Sequence, residues 1–308
     1  MSSQQKDDRV GMWYATATFI SWGILPIYWN SMKQVPSLQI LAHRFVWSFI
    51  FVAILITLNK QWPLIKQVFS NLTTVFYIAG CAIFISANWF IYIWSVTNNH
   101  VIECSLGYYI NPLISIAFGM IFFKERLNKW QTVSLCLASI SVIILTIQYG
   151  QIPWISLSLA LSFALYGLFK KLVQADAMIS LALETMIMAP FALIYLAFLE
   201  ANGTGAIAHV SPLVMVLLIC SGIITALPLL WFAIGSKRVS MFTMGFLQYI
   251  APSLNLILGI FFFHETFTSI EFISFGFIWI ALLIFTFSRM RLSKPIIKEN
   301  NLVVKENT

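Results

Sequence analysis

Four ionisable residues lie inside long apolar stretches of this sequence: His43, Arg44, Glu103 and Glu184. Ionisable groups are costly in hydrocarbon and usually face a cavity or a partner, so these four are the first candidates for chemistry. Arg44, with His43 beside it, could attract an anion, and Glu184 could carry a proton or hold a cation. The structural alternatives are snorkelling of Arg44 to lipid headgroups, a bond from His43 to a backbone carbonyl, and a helix-dipole role for Glu184.

Glutamates near the ends of apolar stretches are predicted to be structural. Glu103 follows the polar segment 98–100 near a helix start, where capping is the favoured role. Glu125 and Glu265 end their stretches beside charged or polar residues. If protons are a coupling partner, Glu184 is the first candidate to carry them, ahead of Glu103 and His43.

Two apolar stretches carry polar and small residues on one helical face. The first set is Tyr108, Pro112, Ser115 and Gly119, and the second is Gln248, Pro252, Asn255 and Gly259, in the same 4-3-4 spacing. At roughly 100° per residue, each set forms a single stripe. Because proline frees a carbonyl from its helical partner, Pro112 and Pro252 are predicted hinges beside a cavity. Tight helix packing is the alternative role for such residues.

Aromatic and amide side chains away from the membrane interfaces complete the predicted cavity. Such a set would bind an amphipathic, partly aromatic or apolar solute through ring contacts and a few hydrogen bonds. Simple packing is the alternative for any one ring. The predicted substrate-binding residues are Trp22, Asn88, Trp89, Tyr92, Tyr108, Asn111, Ser115, Tyr166, Trp231, Gln248, Tyr249 and Asn255.

The elements that position these residues are helices in a lipid bilayer. Apolar residues make up 60% of the 308 residues and charged residues 9%, whereas soluble domains carry roughly 25% charged residues. Apolar runs of about 18–25 residues can span the bilayer, and they lack the alternation of barrel strands. The predicted fold is therefore all-α and integral to the membrane. Its ten predicted spans are 11–32, 38–58, 73–95, 101–123, 130–148, 153–173, 179–199, 213–235, 240–263 and 270–288.

The same five-span pattern occurs twice in the chain. The segment 109–112 (YINP) in the fourth span recurs 140 residues later as 249–252 (YIAP) in the ninth, and glycine, phenylalanine and glutamate positions follow at the same offset. An odd number of crossings in each half turns the copies upside down relative to each other. Inverted repeats around a central cavity are typical of secondary transporters. The predicted units are residues 1–148 and 149–290, followed by a short cytoplasmic tail, 291–308.

Basic residues predict the orientation of the chain. With a cytoplasmic N-terminus, all of the 18 Lys and Arg residues except Lys33 and Arg44 fall on the cytoplasmic side, as the positive-inside rule requires. Both termini are therefore predicted to be cytoplasmic. The net charge of +7 follows from this asymmetry and suits an anionic lipid surface, so nucleic acid is not a predicted partner.

Several segments resemble the EamA family of the drug/metabolite transporter superfamily. The ten-span layout and the doubled endings at 122–126 (FFKER) and 262–265 (FFHE) are similar to that family. The segments 19–26 (FISWGILP), 41–48 (LAHRFVWS) and 183–185 (LET), with Pro190, are similar to its RarD permeases. The resemblance covers roughly residues 10–290. It implies a bacterial inner-membrane permease of a group associated by name with chloramphenicol sensitivity.

Patterns for catalysis are missing from the sequence. The four cysteines lie isolated in separate spans, without metal-ligand spacing, and a phosphate-cradling glycine loop or Walker lysine is absent. No enzyme, cofactor or metal is therefore predicted. A membrane enzyme acting on lipids would need an acidic or histidine cluster that the sequence lacks.

The predicted function is a secondary permease of a small amphipathic metabolite or drug-like solute. Export by alternating access is the predicted mode, with the solute between spans 1, 3, 4, 6, 8 and 9 and the two halves rocking about Pro112 and Pro252. An uncoupled facilitator and a non-transporting membrane sensor or scaffold are the alternatives.

Overall fold

The computed structural model describes residues 3–123, 129–149, 152–238 and 247–292, which form helices joined by short connections. The helices are α1 (Ser3–Asn30), α2 (Ser37–Leu58), α3 (Trp62–Phe69), α4 (Leu72–Thr97), α5 (Val101–Phe123), α6 (Lys129–Tyr149), α7 (Trp154–Leu172), α8 (Ala177–Ala201), α9 (Ala206–His209), α10 (Pro212–Arg238), α11 (Ile250–Phe261) and α12 (Ser269–Leu292). The described residues contain no strand, in agreement with the predicted all-α class.

Several helices have the length and composition of membrane spans. α2 and α4, together with most of α1, α8 and α10, are long and apolar enough to cross a bilayer, and α6, α7, α11 and α12 contain shorter apolar segments. These helices confirm a multi-pass membrane protein. Each predicted span overlaps one of the long helices or α11. The apolar runs did not predict α3 and α9, because helices of eight and four residues are too short to cross hydrocarbon.

Side-chain caps set the helix starts. Asn71 Oδ1 caps α4 by accepting from the Thr74 amide at 3.1 Å, and Asp176 Oδ1 caps α8 by accepting from the amide two residues on, also at 3.1 Å. Before α12, the Thr268 amide donates to Glu271 Oε2 at 2.6 Å, and the Glu271 amide donates to Thr268 Oγ1 at 3.2 Å. This reciprocal capping box satisfies amides that have no partner within the helix.

A turn near Pro252 separates residue 247, which is helical, from the start of α11. Residues 248–249 form a turn, and α11 begins at Ile250, so Pro252 lies in its first turn. The span predicted over about 240–263 is therefore interrupted by a turn in its described part, and residues 240–246 lie outside the described residues. The break falls at residue 248, whose carbonyl is the one that Pro252 leaves unpaired. α5 differs, because it stays helical on both sides of residue 112.

Helix packing relates the two halves of the chain. α1 packs on α10 as α7 packs on α4, α1 packs on α11 as α7 packs on α5, and α2 packs on α10 as α8 packs on α4. Three further contacts join α2 to α8, α5 to α11 and α6 to α12. The same set of contacts results when each helix of one half is exchanged with its counterpart in the other half. The counterparts, in order, are α1, α2, α4, α5 and α6 in the first half and α7, α8, α10, α11 and α12 in the second.

The bundle has two ends that differ in charge. The Lys/Arg-rich end contains the connections 59–71 and 173–176, and the opposite end contains the connections 31–36, 98–100, 202–211 and 262–268. At the opposite end, the Gln39 side-chain amide donates to the Thr204 carbonyl at 3.1 Å. The largest group of buried apolar side chains lies next to this connection and includes Trp29 and Trp89.

Candidate binding site

Arg44 is a buried cation in α2. It is the eighth residue of the helix, roughly 10 Å along the axis from the opposite end, and only 5% of its surface is exposed. Its guanidinium carbon lies 3.6 Å from the centroid of the Trp89 ring and 5.0 Å from that of Trp29, both within cation–π range. The side chain therefore turns into the protein, whereas the snorkelling alternative would place it among headgroups.

Three tyrosines surround this cation. Tyr28, Tyr92 and Tyr108 lie within electrostatic range of the guanidinium. The Tyr92 and Tyr108 rings meet edge to face with their centroids 5.7 Å apart, and the Tyr108 hydroxyl donates to Asn88 Oδ1 at 3.3 Å. The Tyr28 hydroxyl donates to the carbonyl of Leu217 in α10. Helices α1, α4 and α5 thus give Arg44 an aromatic, uncharged environment.

No carboxylate pairs with Arg44 among the residues that the structure describes. Each acidic side chain that the structure describes is engaged elsewhere: Glu103 with His100, Asp176 and Glu271 in helix caps, Glu184 with Lys170, Glu200 with the Ile207 amide, and Glu265 with the Val101 and Ile102 amides. Arg44 Nε is buried without a hydrogen-bond partner. The guanidinium is therefore a buried charge that the described protein leaves uncompensated.

Further buried polar atoms in the helices around Arg44 also lack a partner within the described residues. They are the Tyr92 hydroxyl, Asn255 Oδ1, His43 Nε2, Trp29 Nε1 and Gln39 Oε1. Tyr92 and Asn255 are neighbours across α4 and α11. Because the great majority of buried polar atoms in proteins are hydrogen-bonded, a buried cation whose Nε has no partner among the described residues indicates a place for a ligand.

Glu184 lies in a different environment, although it is also buried. Its Oε1 accepts from Lys170 Nζ at 2.5 Å and from the Ser180 hydroxyl at 2.7 Å. The Lys170 ammonium also lies 5.6 Å from the centroid of the Tyr166 ring. Glu184 is the eighth residue of α8, beyond the first turn that a helix-dipole role requires. The cation that the sequence predicted at Glu184 is thus supplied by the protein itself, from α7.

Two predicted amides join helices. Asn88 Nδ2 donates to the Leu159 carbonyl at 3.0 Å, and Asn111 Nδ2 donates to the Ala160 carbonyl at 3.0 Å. Both bonds fix α4 or α5 against α7. Asn88 still accepts from Tyr108, so it belongs to the surroundings of Arg44, whereas the bond of Asn111 serves helix packing.

The other predicted site residues are dispersed. Trp22 stacks on Phe232, with centroids 5.7 Å apart, and Tyr249 stacks on Tyr109, with centroids 6.2 Å apart. Trp231 and Gln248 are half-buried. The structure thus brings Asn88, Trp89, Tyr92, Tyr108 and Asn255 to the vicinity of Arg44 and leaves the others apart. The side chains of Pro112 and Ser115, and Glu125 altogether, lie outside the described residues.

Tyr28 and Trp29 are site residues that the sequence did not predict. Aromatic residues near the end of a span are usually interfacial belts, and these two stand just before Asn30 at the end of α1. Trp29 is fully buried, whereas a belt residue such as Trp13 is 75% exposed. The sequence carries no signal that separates the two cases.

Glu265 caps α5 from a distant part of the chain. Its two carboxylate oxygens accept from the amides of Val101 at 2.6 Å and Ile102 at 2.8 Å. Burial raises the pKa of Glu265 above its ordinary value, although the hydrogen bonds from the two amides act to lower it. Glu103, predicted to cap this helix, instead contacts His100 Nδ1 at 2.8 Å. The contact of Glu265 ties α5 to the end of α11.

A surface pocket at the Lys/Arg-rich end is separate from these residues. It has a volume of about 430 Å³ and lies between α3, α4 and the start of α8, lined by Gln67, Asn71, Thr74 and Asp176 among others. None of the predicted site residues lines it. The chemistry at Arg44, rather than this open groove, defines the candidate site.

Comparisons with known proteins show the family to which the chain is similar. Residues 9–147 match the EamA-like transporter family. The chain is 43% identical to the uncharacterized transporter YojE of Bacillus subtilis, over 94% of this chain and 97% of that protein. It is 39% identical to protein RarD of Escherichia coli, over 91% of this chain and 95% of that protein. A solved crystal structure with 18% identity aligns over 92% of this chain and 99% of its own, with a TM-score of 0.59, and this likeness concerns the fold alone.

Proposed function

The chain belongs to the RarD-type permeases of the EamA-like transporter family, and from this we propose that it is a secondary permease of a small amphipathic solute, working by alternating access. Its place is the bacterial inner membrane, with both termini cytoplasmic. The relatives are named as transporters. Export is the proposed direction, and the Lys/Arg-rich end is the proposed cytoplasmic end.

The single observation that carries this proposal is the exchange symmetry of the helix contacts. The main contacts between the two halves recur when the helices of one half replace those of the other. Arg44 and Glu184, each the eighth residue of its helix, are separated by the same 140 residues as the two proline motifs. Both facts support two inverted repeats, at residues 1–148 and 149–290, which is the architecture of alternating-access transporters.

The two ends of the bundle differ in a way that fits one state of an alternating cycle. At the opposite end, a Cβ added to Gly23 would lie 2.6 Å from Leu254 Cδ1, so α1 and α11 are in close contact there. The corresponding Gly167 lies toward the Lys/Arg-rich end of α7, and no neighbouring atom of the described residues lies within 4 Å of a Cβ added there. The Glu265 cap also closes the opposite end. In the proposed cycle these contacts open while the Lys/Arg-rich end closes.

The proposed hinge is the break at residues 248–249 together with Pro252. A turn within a span changes direction at lower cost than an unbroken helix, since its backbone bonds are already interrupted. The Pro252 carbonyl accepts from the Ser105 hydroxyl at 2.6 Å, so movement of α11 would be transmitted to α5. Pro112 is the proposed counterpart in the first half.

If transport is coupled to protons, Glu184 is the residue proposed to carry the proton. Protonation of Glu184 would release Lys170, so proton binding and a rearrangement of α7 against α8 would be linked. The same ion pair also favours a second candidate, the uncoupled facilitator, because the protein itself supplies the cation that Glu184 binds. Flux from vesicles with an imposed pH gradient separates the two: coupling predicts a dependence on the gradient that Glu184→Gln abolishes.

A reversible cross-link tests alternating access. Cysteines at positions 23 and 254, in a chain whose four native cysteines are replaced, would join α1 to α11 at the opposite end. We expect oxidation to stop solute flux in proteoliposomes and reduction to restore it. The matched control is Leu254→Cys alone under the same oxidant, because it keeps one cysteine of the pair without placing a side chain at Gly23. Undiminished flux through fully cross-linked protein would contradict alternating access.

A further inference from the structure

The strongest unexplained feature of the bundle is a cation without an anion. A charged group buried in an apolar environment is destabilised unless it is paired. The rings of Trp29 and Trp89 offset part of this cost through cation–π contacts. They supply no negative charge and no hydrogen-bond acceptor for Arg44 Nε, which is buried and unpartnered.

The geometry leaves the edge of the guanidinium for a ligand. A distance of 3.6 Å from its central carbon to the Trp89 ring centroid is a stacking distance, so the ring covers one face of the planar group. The N–H donors of a guanidinium point outward within its plane, where they match the two oxygens of a carboxylate or a similar oxyanion. Among the described residues, no acceptor occupies this edge.

In the second half of the protein, the buried charge at the equivalent position, Glu184, has a partner within the protein. Glu184 has its counter-ion in Lys170, supplied by α7. α1, the helix that corresponds to α7, supplies Tyr28 and Trp29 to Arg44 instead of a carboxylate. A built-in partner is therefore feasible at this depth, and the first half does not have one.

We propose that the transported solute is an organic monoanion, whose oxyanion group binds the guanidinium edge of Arg44 and whose apolar body lies among the surrounding rings. This inference rests on the proposed function. One cation balances one negative charge, so a dianion would leave an excess charge in the apolar surroundings. Asn255 Oδ1, which has no hydrogen-bond partner among the described residues, is available to a further polar group on the solute.

Charge selectivity of binding tests the proposal on the full chain in detergent, by titration calorimetry. The probes share one tolyl body and differ in charge: 4-methylbenzoate and p-toluenesulfonate as monoanions, p-toluenesulfonamide as a neutral compound, 4-methylbenzylamine as a cation and p-tolyl phosphate as a dianion. We expect at least one of the monoanions to bind about tenfold or more tightly than the neutral and cationic probes, and more tightly than the phosphate.

Variants assign the selectivity to Arg44. Arg44→Gln is expected to lose about tenfold or more of the monoanion affinity and to keep the weak affinity for the sulfonamide. Arg238→Gln, which removes a charge from the far end of α10, serves as the matched control and should bind as the wild type does. If Arg44→Gln does not fold, the wild-type probe series alone still decides the charge preference.

The outcomes separate this inference from the proposed function. Equal or weaker binding of the monoanions, or no binding of any probe, overturns the inference. Monoanion affinity that survives in folded Arg44→Gln overturns it as well. Flux of neutral or cationic solutes in proteoliposomes would then leave the permease intact. Monoanion binding at Arg44 without flux of any solute would instead support the site and contradict the permease.

Discussion

Arg44 and Glu184 are two buried charges at equivalent places, and the protein treats them differently. Each is the eighth residue of its helix, α2 or α8, and the two helices pack on each other. Glu184 is held by Lys170 at 2.5 Å and by the Ser180 hydroxyl. Arg44 lies between rings and has no carboxylate partner in the described part of the chain.

The difference separates a charge that belongs to the fold from a charge that is available to a ligand. Breaking a buried ion pair leaves one charge uncompensated and is costly, whereas replacing an unpaired buried charge by a neutral group removes the cost of keeping that charge out of water. The two sites should therefore respond in opposite ways to mutation. Neutralisation near Glu184 should reduce stability, and neutralisation of Arg44 should reduce ligand binding.

The largest expected effect on stability is that of Lys170→Ala. It leaves the Glu184 carboxylate buried without its cation, and we expect a loss of about 2 kcal/mol in the free energy of unfolding, below the range for fully buried pairs because Lys170 is partly exposed. Thermal unfolding in detergent measures it. The double variant Lys170→Ala, Glu184→Gln should recover much of the loss. If Lys170→Ala is as stable as the wild type, the Lys170–Glu184 ion pair does not stabilise the fold and the contrast with Arg44 is lost.

Glu265→Ala should have the next largest effect. It removes the acceptor from the amides of Val101 and Ile102 at the start of α5, and we expect a loss of about 1 kcal/mol, typical of a helix cap. Glu103→Ala is the matched control, since it removes a carboxylate from the first turn of the same helix, α5, but only a partly exposed contact with His100. Equal losses in the two variants would contradict the capping role of Glu265.

Arg44→Gln should change stability less than either of these variants. Two cation–π contacts are lost, but so is the cost of burying an unpaired charge, and we expect a net change under about 1 kcal/mol. The same unfolding measurement decides it. A loss as large as that of Lys170→Ala would mean that Arg44 has an internal counter-ion, and the contrast between the two sites would disappear.

The smallest expected effect is the pH dependence that Glu265 gives to the stability of the protein. Burial raises its pKa above the ordinary value, while the two amides and His100 oppose the rise and Glu103 adds to it. A raised pKa means that the folded protein holds the proton more tightly, so stability from this group is present at low pH and is lost as the pH rises through the folded pKa. The Tm of the wild type should therefore fall slightly, relative to Glu265→Gln, as the pH rises from about 4.5. A relative rise would have the wrong sign.

Much of the fold could be predicted from the sequence because lipid imposes simple rules. Each predicted span overlaps a helix, since a crossing segment must be apolar and must satisfy its own backbone. The break before α11 was missed, because Pro252 alone does not say whether a helix bends or stops. The short helix α3 was missed because its eight residues lie between spans.

The site was harder to predict than the fold. Arg44 and Glu184 stand out because charges are rare in apolar runs, but their partners come from other helices. Lys170 is one of many basic residues near span ends, and only three-dimensional packing reveals that it reaches Glu184. Trp29 resembles an interfacial residue by position, and only its burial assigns it to Arg44.

Counterflow of p-toluenesulfonate in proteoliposomes is the most direct test of a translocated anion bound at Arg44. Vesicles containing the full chain are loaded with the unlabelled monoanion and then given the labelled compound outside. We predict transient accumulation of label in wild-type vesicles, its absence with Arg44→Gln, and no effect of Arg238→Gln. Equal accumulation with wild type and folded Arg44→Gln, or counterflow only of the neutral or cationic tolyl compounds, would contradict a translocated anion at Arg44.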